Sequence, residues 1–182
     1  MLAASRVGEL GPTTWADLGC GDGMFTRALA HLLASGSTIH AVDQDAAALR
    51  HVPAAEDGVR IVTHRADFTA AVWPFETVDG LLMANSLHYV RDQAAFIRAG
   101  TTKMRRPGRL MLVEYDTDAA NPWVPYPISR RRLSSVIHDA SVSVGGDVGH
   151  ATIEALGSRP SAFRRASLYA ALITWRAADE RA

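Results

Sequence analysis

Residues 15–23 read Trp-Ala-Asp-Leu-Gly-Cys-Gly-Asp-Gly, and no other stretch restricts the fold as tightly. An apolar run over 13–18 feeds into the glycines. Beyond them a helical pattern opens, with Phe25, Leu29, Leu32 and Leu33 spaced i, i+4, i+7 and i+8. Alternating glycines at a strand-to-helix turn let the backbone bend sharply and approach a ligand closely. The helix start beyond presents free N–H groups and a positive dipole end, which suits a carboxylate or a phosphate. About 20 residues past the loop, Asp43 follows a second apolar run over 38–42. An acid in that position can accept hydrogen bonds from both hydroxyls of an adenosine ribose.

Those features fit any adenosine-containing ligand, and the glycine spacing narrows the choice. A dinucleotide fingerprint reads G-x-G-x-x-G, whereas here the third glycine, Gly23, comes one residue early and Met24 takes its place. The Gly-Lys-Ser/Thr ending of a phosphate-binding P-loop is absent. A loop that meets an amino-acid carboxylate, not a pyrophosphate, is what remains.

The rest of the chain alternates short apolar runs with longer helical patterns, the βαβα signature of a parallel sheet covered on both faces. Strands are expected over 38–42, 59–63, 78–83 and 109–114, and a final strand over 166–175. The run at 78–83 is continuously apolar, as in strands buried on both faces. Asp45 is placed to cap a short helix over 46–50, shut off by Pro53, and Asp92 to cap one running to about Met104. Pro107-Gly108 signals a turn, 116–127 a proline-rich loop, 129–140 a helix with Leu133, Val136 and Ile137 on one face, and 142–148 a strand. Residues 149–161 give no clear pattern. The expected class is α/β: a Rossmann-like, doubly wound, mostly parallel sheet in a single domain over 1–182, with a cofactor half at about 13–90 and an acceptor half at about 91–182.

Composition removes other function classes. With 19 basic and 19 acidic side chains, the chain lacks the basic excess of a dedicated nucleic-acid binder. Its arginine clusters (Arg105, Arg106 and Arg109; Arg130 to Arg132; Arg164 and Arg165) read as solvated surface. The single cysteine, Cys20, excludes an internal disulfide. Neither a membrane-spanning apolar stretch nor a secretory pattern is present, so a cytoplasmic setting is expected. The histidines besides His88 (31, 40, 51, 64, 138 and 150) have no carboxylate at ligand spacing, so no metal site is read.

Taken together, the motifs resemble those of class I S-adenosylmethionine-dependent methyltransferases. Asp17 to Gly23 resembles the first motif, and Ala41-Val42-Asp43 the ribose-binding one. Ala66-Asp67-Phe68 resembles the acid-plus-apolar pair that holds the adenine. The segment 78–85 resembles the fourth-strand motif, and Arg106-Pro107-Gly108-Arg109-Leu110 the turn into the fifth strand. They stand in order across about residues 13–116. The resemblance implies a seven-stranded sheet ending in an antiparallel hairpin, and S-adenosylmethionine as cofactor, with S-adenosylhomocysteine as product. It implies cofactor contacts at Asp17, Gly19, Cys20, Gly21, Gly23, Asp43, Gln44, Asp67, Phe68 and Asn85. Within that set, Asp17 orients the methionine amino group, Asp43 binds the ribose hydroxyls, Asp67 accepts from the adenine amino group and Phe68 packs on the ring. On their residues alone, Asp67 also reads as a turn acid and Phe68 as core.

Ligands of such sheets sit beyond the carboxyl ends of the strands, which points to Asn85-Ser86-Leu87-His88-Tyr89 for the acceptor. The segment lacks the Asn/Asp-Pro-Pro-aromatic tetrad of adenine- and amide-modifying methyltransferases, and no nucleophilic cysteine for cytosine C5 chemistry stands near it. Its Leu-His-Tyr form resembles small-molecule methyltransferases. His88 is the catalytic candidate, as a base or an acceptor-orienting group, and Tyr89 reads as a packing residue. Glu114, Tyr115 and Asp116 either line the acceptor side or belong to the sheet edge. Cover for the acceptor is expected from 116–127, from 145–161 or from a second subunit in a homodimer. The expected partner is a small-molecule methyl acceptor modified at O, N or C, with nucleic acid and membrane set aside. The alternatives are a cofactor-binding pseudoenzyme or scaffold subunit, and an RNA or protein methyltransferase.

Overall fold

The apolar run at Val78–Ala84 (β5) alternates between two cores, and that alternation organises the molecule. Leu81 and Met83 join one buried cluster, while Leu82 and Ala84 join the other. A strand that buries both faces needs helices on both sides. The computed structural model describes residues 2–70, 72–143, 146–147, 150–160 and 167–176.

In chain order, β1 (Thr14–Leu18) leads into α1 (Met24–Ala30), β2 (Thr38–Asp43), α2 (Ala46–Leu49), β3 (Ala55–Glu56) and β4 (Val59–Arg65). After β5 come α3 (Gln93–Thr101), β6 (Met104–Tyr115) and α4 (Arg130–Ser141). Four strands close the chain: β7 (Val142–Ser143), β8 (Gly146–Asp147), β9 (His150–Pro160) and β10 (Ser167–Arg176). The main sheet has eight strands in the order β3-β4-β2-β1-β5-β6-β10-β9. Its central pairs, β4·β2, β2·β1, β1·β5 and β5·β6, are parallel, and β10 runs antiparallel to both β6 and β9. The chain moves outward from β1 through β2 and β4, then returns to β1's other side with β5. The order therefore reverses between β1 and β5, the switch point at which such sheets bind ligands.

One core lies under α3 and α4, where Ile97, Leu133, Val136, Ile137 and Ala140 meet Leu81, Met83, Leu110 and Leu112. The other lies under α1, where Leu29 and Ala30 meet Trp15, Ile39, Leu82 and Met111. Leu2 and Val7, from the short 3-10 turns ahead of β1, close that second core. Trp15 lies flat across the sheet because its neighbour in register is Gly80; a Cβ there would stand 2.6 Å from the indole. Among the described residues, no helix is long and apolar enough to cross a membrane.

The expected α/β class and parallel centre match the structure, and the capping predictions hold. The Asp45 side chain accepts from Ala47 and Ala48 N–H at the start of α2, and Asp92 accepts from Ala95 N–H at the start of α3. The strand inventory differs from the expected seven. Two-residue β3 adds an antiparallel edge, too short to leave a pattern. Residues 142–143 and 146–147 form a separate small hairpin, not a strand of the main sheet. The place expected for them is taken by β9, from the patternless segment; among its residues 151–160 only Leu156 is buried, so no apolar alternation exists to be read. The Pro107-Gly108 turn is absorbed as a bulge in β6. Val78 faces Met104 and Gly80 already faces Arg109, so the intervening β6 residues loop out of register.

Candidate functional site

The glycine loop is pinned at both ends. Gly19 and Cys20 N–H donate to the Val42 carbonyl at 2.9 and 3.1 Å, tying the loop to the end of β2. Gly21 N–H donates to Asp43 Oδ2 at 2.8 Å, and Asp45 N–H to Oδ1 at 2.9 Å. Gly19, Gly21 and Gly23 all have positive φ. Gly19 is the most constrained: besides a φ of +79°, a Cβ there would lie 2.7 Å from Ser86 Cβ and 3.1 Å from the Phe68 ring. The loop thus crosses directly over the segments that follow β5 and β4.

A cleft of about 400 Å³ opens at the carboxyl ends of β1, β2, β4 and β5. It is lined by Gly19, Asp43, Gln44, Asp67, Phe68 and Asn85, all expected from the sequence, together with Ala66, Thr69, Ser86 and Tyr89. Ser86 is fixed by donating to the Leu18 carbonyl at 2.6 Å. Asp67 takes its turn-acid form, with Oδ1 accepting from Thr69 N–H and Oγ, while its residue stays exposed on the cleft. Phe68 is half-buried, packs edge-on to Phe96 and presents its carbonyl to Trp73 Nε1.

Asp17, Cys20, Gly21 and Gly23 stand behind this lining. The Asp17 side chain is 1% exposed, and Oδ2 accepts from Thr26 Oγ1 on α1 at 2.6 Å. Its Oδ1 is buried without a partner. Burial pushes its carboxyl up from 3.8 to about 7; the Thr26 bond pulls the other way, and the nearby Asp43 charge adds to the rise. Asn85 has a φ of +55°, a left-handed conformation that asparagine tolerates better than most residues. Its Oδ1 is likewise buried and unpartnered. Asn85 lines the cleft and Asp17 stands behind it, and each orphaned acceptor is a cost, because an unsatisfied buried oxygen loses about 1–3 kcal/mol. Both oxygens fit a ligand that brings hydrogen-bond donors, above all an ammonium group. The Cys20 side chain instead turns into the α1-side core, where burial and then the Asp17 and Asp43 charges push its thiol well up; it offers neither a nucleophile nor a ligand.

His88 was singled out by the sequence, but its partner was not. Its Nδ1 lies 2.7 Å from Glu114 Oε2, and its backbone N–H donates to Oε1 at 3.2 Å, with the two side chains 2% and 1% exposed. A carboxylate that accepts from Nδ1–H fixes the ring's orientation and selects, for the neutral imidazole, the tautomer with Nε2 as acceptor. Glu114 is therefore neither a lining nor an edge residue, as expected above, but the group that orients His88. The register that sets Ala84 opposite Val113 brings the two together. Tyr89 is 52% exposed on the cleft rather than packed away, with its ring 4.4 Å from the His88 ring.

The loop after β6 packs on its own domain: Val124 is buried, Tyr126 N–H donates to the His88 carbonyl at 3.0 Å, and Gln93 Nε2 donates to the Tyr126 carbonyl at 2.7 Å. Residues 150–160, expected as possible cover, lie at the sheet edge instead. Arg130 and Arg131 form exposed ion pairs with Asp116 and Asp118, as solvated surface groups do; Arg164 and Arg165 lie outside the described residues. The fold also pairs histidines that look scattered in sequence. His40 Nδ1 meets His64 Nε2 at 2.9 Å. On the surface, His31 bonds Asp57 through Nδ1 and faces Glu56 through Nε2, an exposed acid–imidazole cluster within metal-binding distance.

Comparisons with known proteins agree with this geometry. A family model described as a methyltransferase domain matches residues 16–108, just over half of the 182-residue chain. No curated protein matches the sequence. Among solved structures, TehB from Haemophilus influenzae superposes with a TM-score of 0.66 at 15% identity, over 96% of this chain and 61% of that one. The 1,6-didemethyltoxoflavin-N1-methyltransferase of Burkholderia thailandensis, solved with 1,6-didemethyltoxoflavin and S-adenosylhomocysteine bound, gives 0.64 at 18%, over 96% and 76%. An S-adenosylmethionine-dependent methyltransferase from Mesorhizobium loti gives 0.62 at 16%, over 94% and 95%. The chain thus spans less than two thirds of the Haemophilus protein, and at these identities the likeness is one of fold.

Proposed function

The chain belongs to the methyltransferase domain family, and from that premise we propose that it transfers a methyl group from S-adenosylmethionine to a small-molecule acceptor, with His88 as the general base. The observation that carries the reading is the buried His88–Glu114 pair, whose histidine lies in sequence between Ser86 and Tyr89, two residues that line the cleft.

When bound, S-adenosylmethionine would supply an electrophilic methyl carbon with a neutral thioether as leaving group. The protein's tasks are to hold, orient and exclude water. Asp17 Oδ1 and Asn85 Oδ1 are the acceptors suited to the amino-acid end of the ligand. Each Asp43 oxygen already takes one backbone N–H, and a carboxylate has about four acceptor sites, so room remains for both ribose hydroxyls. Phe68 and the open face of Asp67 suit the base. His88 Nε2 receives the acceptor's proton, and the Glu114 carboxylate stabilises the resulting imidazolium. Because His88 is 2% exposed, an acceptor reaches it only by entering the fold, which favours a small molecule over a macromolecule.

Calorimetric titration with S-adenosylhomocysteine tests the cofactor half. A dissociation constant on the order of micromolar is expected, weakened by about 1–3 kcal/mol in Asp43→Ala, where buried hydrogen bonds lose their acceptor. No binding by the native protein, or unchanged affinity in a folded Asp43→Ala variant, overturns the assignment.

A further inference from the structure

A second cavity, of about 510 Å³, stands beside the cofactor cleft and shares a wall with it, since Thr69 and Tyr89 line both. The wall between them is built of rings. Phe68 lines the cleft and packs edge-on, at 6.1 Å, against Phe96, which lines the second cavity. Trp73 lines it too, tilted against Phe96 at 5.8 Å, with its indole N–H committed to the Phe68 carbonyl at 2.8 Å. Trp73 and Phe96 are only half-buried against the core, so part of each ring is open to an occupant. None of the positions expected to hold the cofactor lines this cavity.

Its charged part is cationic. Arg91 stands two residues before α3 and Lys103 two residues after it, and both line the cavity. Among the described residues, neither side chain forms a hydrogen bond or an ion pair. Asp92 is the one acid in the lining, and its Oδ1 accepts from Ala95 N–H at the start of α3. The two cations thus flank a nine-residue helix about 13 Å long, with the rings of Trp73 and Phe96 in the same cavity. We propose that this cavity is a ligand site in its own right, for an elongated planar aromatic molecule with an acidic group towards each end. Its ring meets Trp73 and Phe96 stacked or edge-on. The Arg91 guanidinium offers a paired donor fork to one acid, and the Lys103 ammonium a point charge to the other. A neutral ligand leaves both cations unused, and a flexible one loses more freedom on binding than a planar one. The volume suits one small molecule. This site goes beyond the methyltransferase reading and does not depend on it.

The test uses the full chain, first free and then saturated with S-adenosylhomocysteine, and titrates probes by saturation-transfer NMR. The probe is 2,6-naphthalenedicarboxylate; 2-naphthoate lacks its second acid, and octanedioate lacks its ring. The dicarboxylate is expected to bind the free protein with a dissociation constant of roughly a millimolar or below. It should bind at least fivefold tighter than either control, and still bind when S-adenosylhomocysteine saturates the cleft. Arg91→Gln and Lys103→Gln, both at exposed residues, are each expected to weaken the dicarboxylate at least threefold. No binding of the dicarboxylate, equal binding of either control, unchanged affinity in either variant, or displacement by S-adenosylhomocysteine overturns the proposal while the methyltransferase reading stands. Failure of S-adenosylhomocysteine itself to bind removes that reading, and the titrations of the free protein then decide this site alone.

Discussion

Binding of S-adenosylhomocysteine is expected to tighten about 80-fold between pH 5 and pH 8, with Asp17 as the titrating group. In the free protein its carboxyl sits at about 7, raised chiefly by burial, with Oδ1 unpartnered. At pH 5 the protonated form then outnumbers the ionised one by about 100 to 1, and at pH 8 the ratio reverses to about 1 to 10. A ligand ammonium at Oδ1 requires the carboxylate and would return its pKa to about 4, so the complex is mostly ionised at both pH values. Binding at pH 5 carries a roughly 90-fold penalty for losing the proton, against about 1.1-fold at pH 8; the difference is about 2.6 kcal/mol.

The sign for the unliganded protein is opposite. A raised acid binds more protons folded than unfolded, so its contribution to stability is fully present below about pH 4 and is lost as pH rises through about 7, by roughly 4 kcal/mol in all. The assay is calorimetry at pH 5, 6, 7 and 8, repeated at pH 6 in buffers of different ionisation enthalpy, where close to one proton per binding event should be released. Asp17→Asn controls for every other titrating group. An affinity that is flat from pH 5 to 8, or the same slope in Asp17→Asn, would refute the reasoning.

Two more expectations concern the loop and the dyad. Gly19→Ala meets both a φ of +79° and the Ser86 Cβ at 2.7 Å, whereas Gly21→Ala, at a φ of +56°, meets nothing within 4 Å. Thermal unfolding should show Gly19→Ala losing about 2 kcal/mol or more, some 4–8 °C in Tm, and Gly21→Ala about half of that. Equal losses would show that crowding against Ser86 plays no part. Glu114→Gln keeps the shape of the His88 contact but removes its charge. Turnover on an accepted substrate should fall about 10²-fold, while S-adenosylhomocysteine affinity changes less than twofold. Turnover within twofold of the native protein's would leave Glu114 a merely structural partner.

What was legible in the sequence was what local chemistry decides. The glycine loop, Asp43 at the end of β2 and the caps at Asp45 and Asp92 each depend on neighbours a few residues away, and each stands where expected. The contact between His88 and Glu114 spans 26 residues and two strands. It exists only because β5 and β6 pair in a register that absorbs an irregular bulge, and nothing near either residue announces that register. Thr26 was missed for a similar reason: it reads as an ordinary helix residue until α1 folds back and sets its hydroxyl on Asp17. Strand β9 was illegible because its strand state comes from pairing with β10 along its length, not from an apolar face of its own.

The two sides of the cleft are built on different physical terms, and this explains why one was easier to read. The cofactor side is set on strand ends and a pinned loop, and it holds two buried oxygens whose hydrogen bonds are missing. Each is a liability in the free protein, and Asp17 also carries the electrostatic cost of its burial. Those costs disappear when a donor-bearing ligand arrives, so the native state is stabilised by the same contacts that give affinity. Such a site tolerates few residue types and leaves a strict sequence signature. The His88–Glu114 pair rests instead on a contact between residues 26 apart, brought together by strand register, and such a contact leaves no local signature.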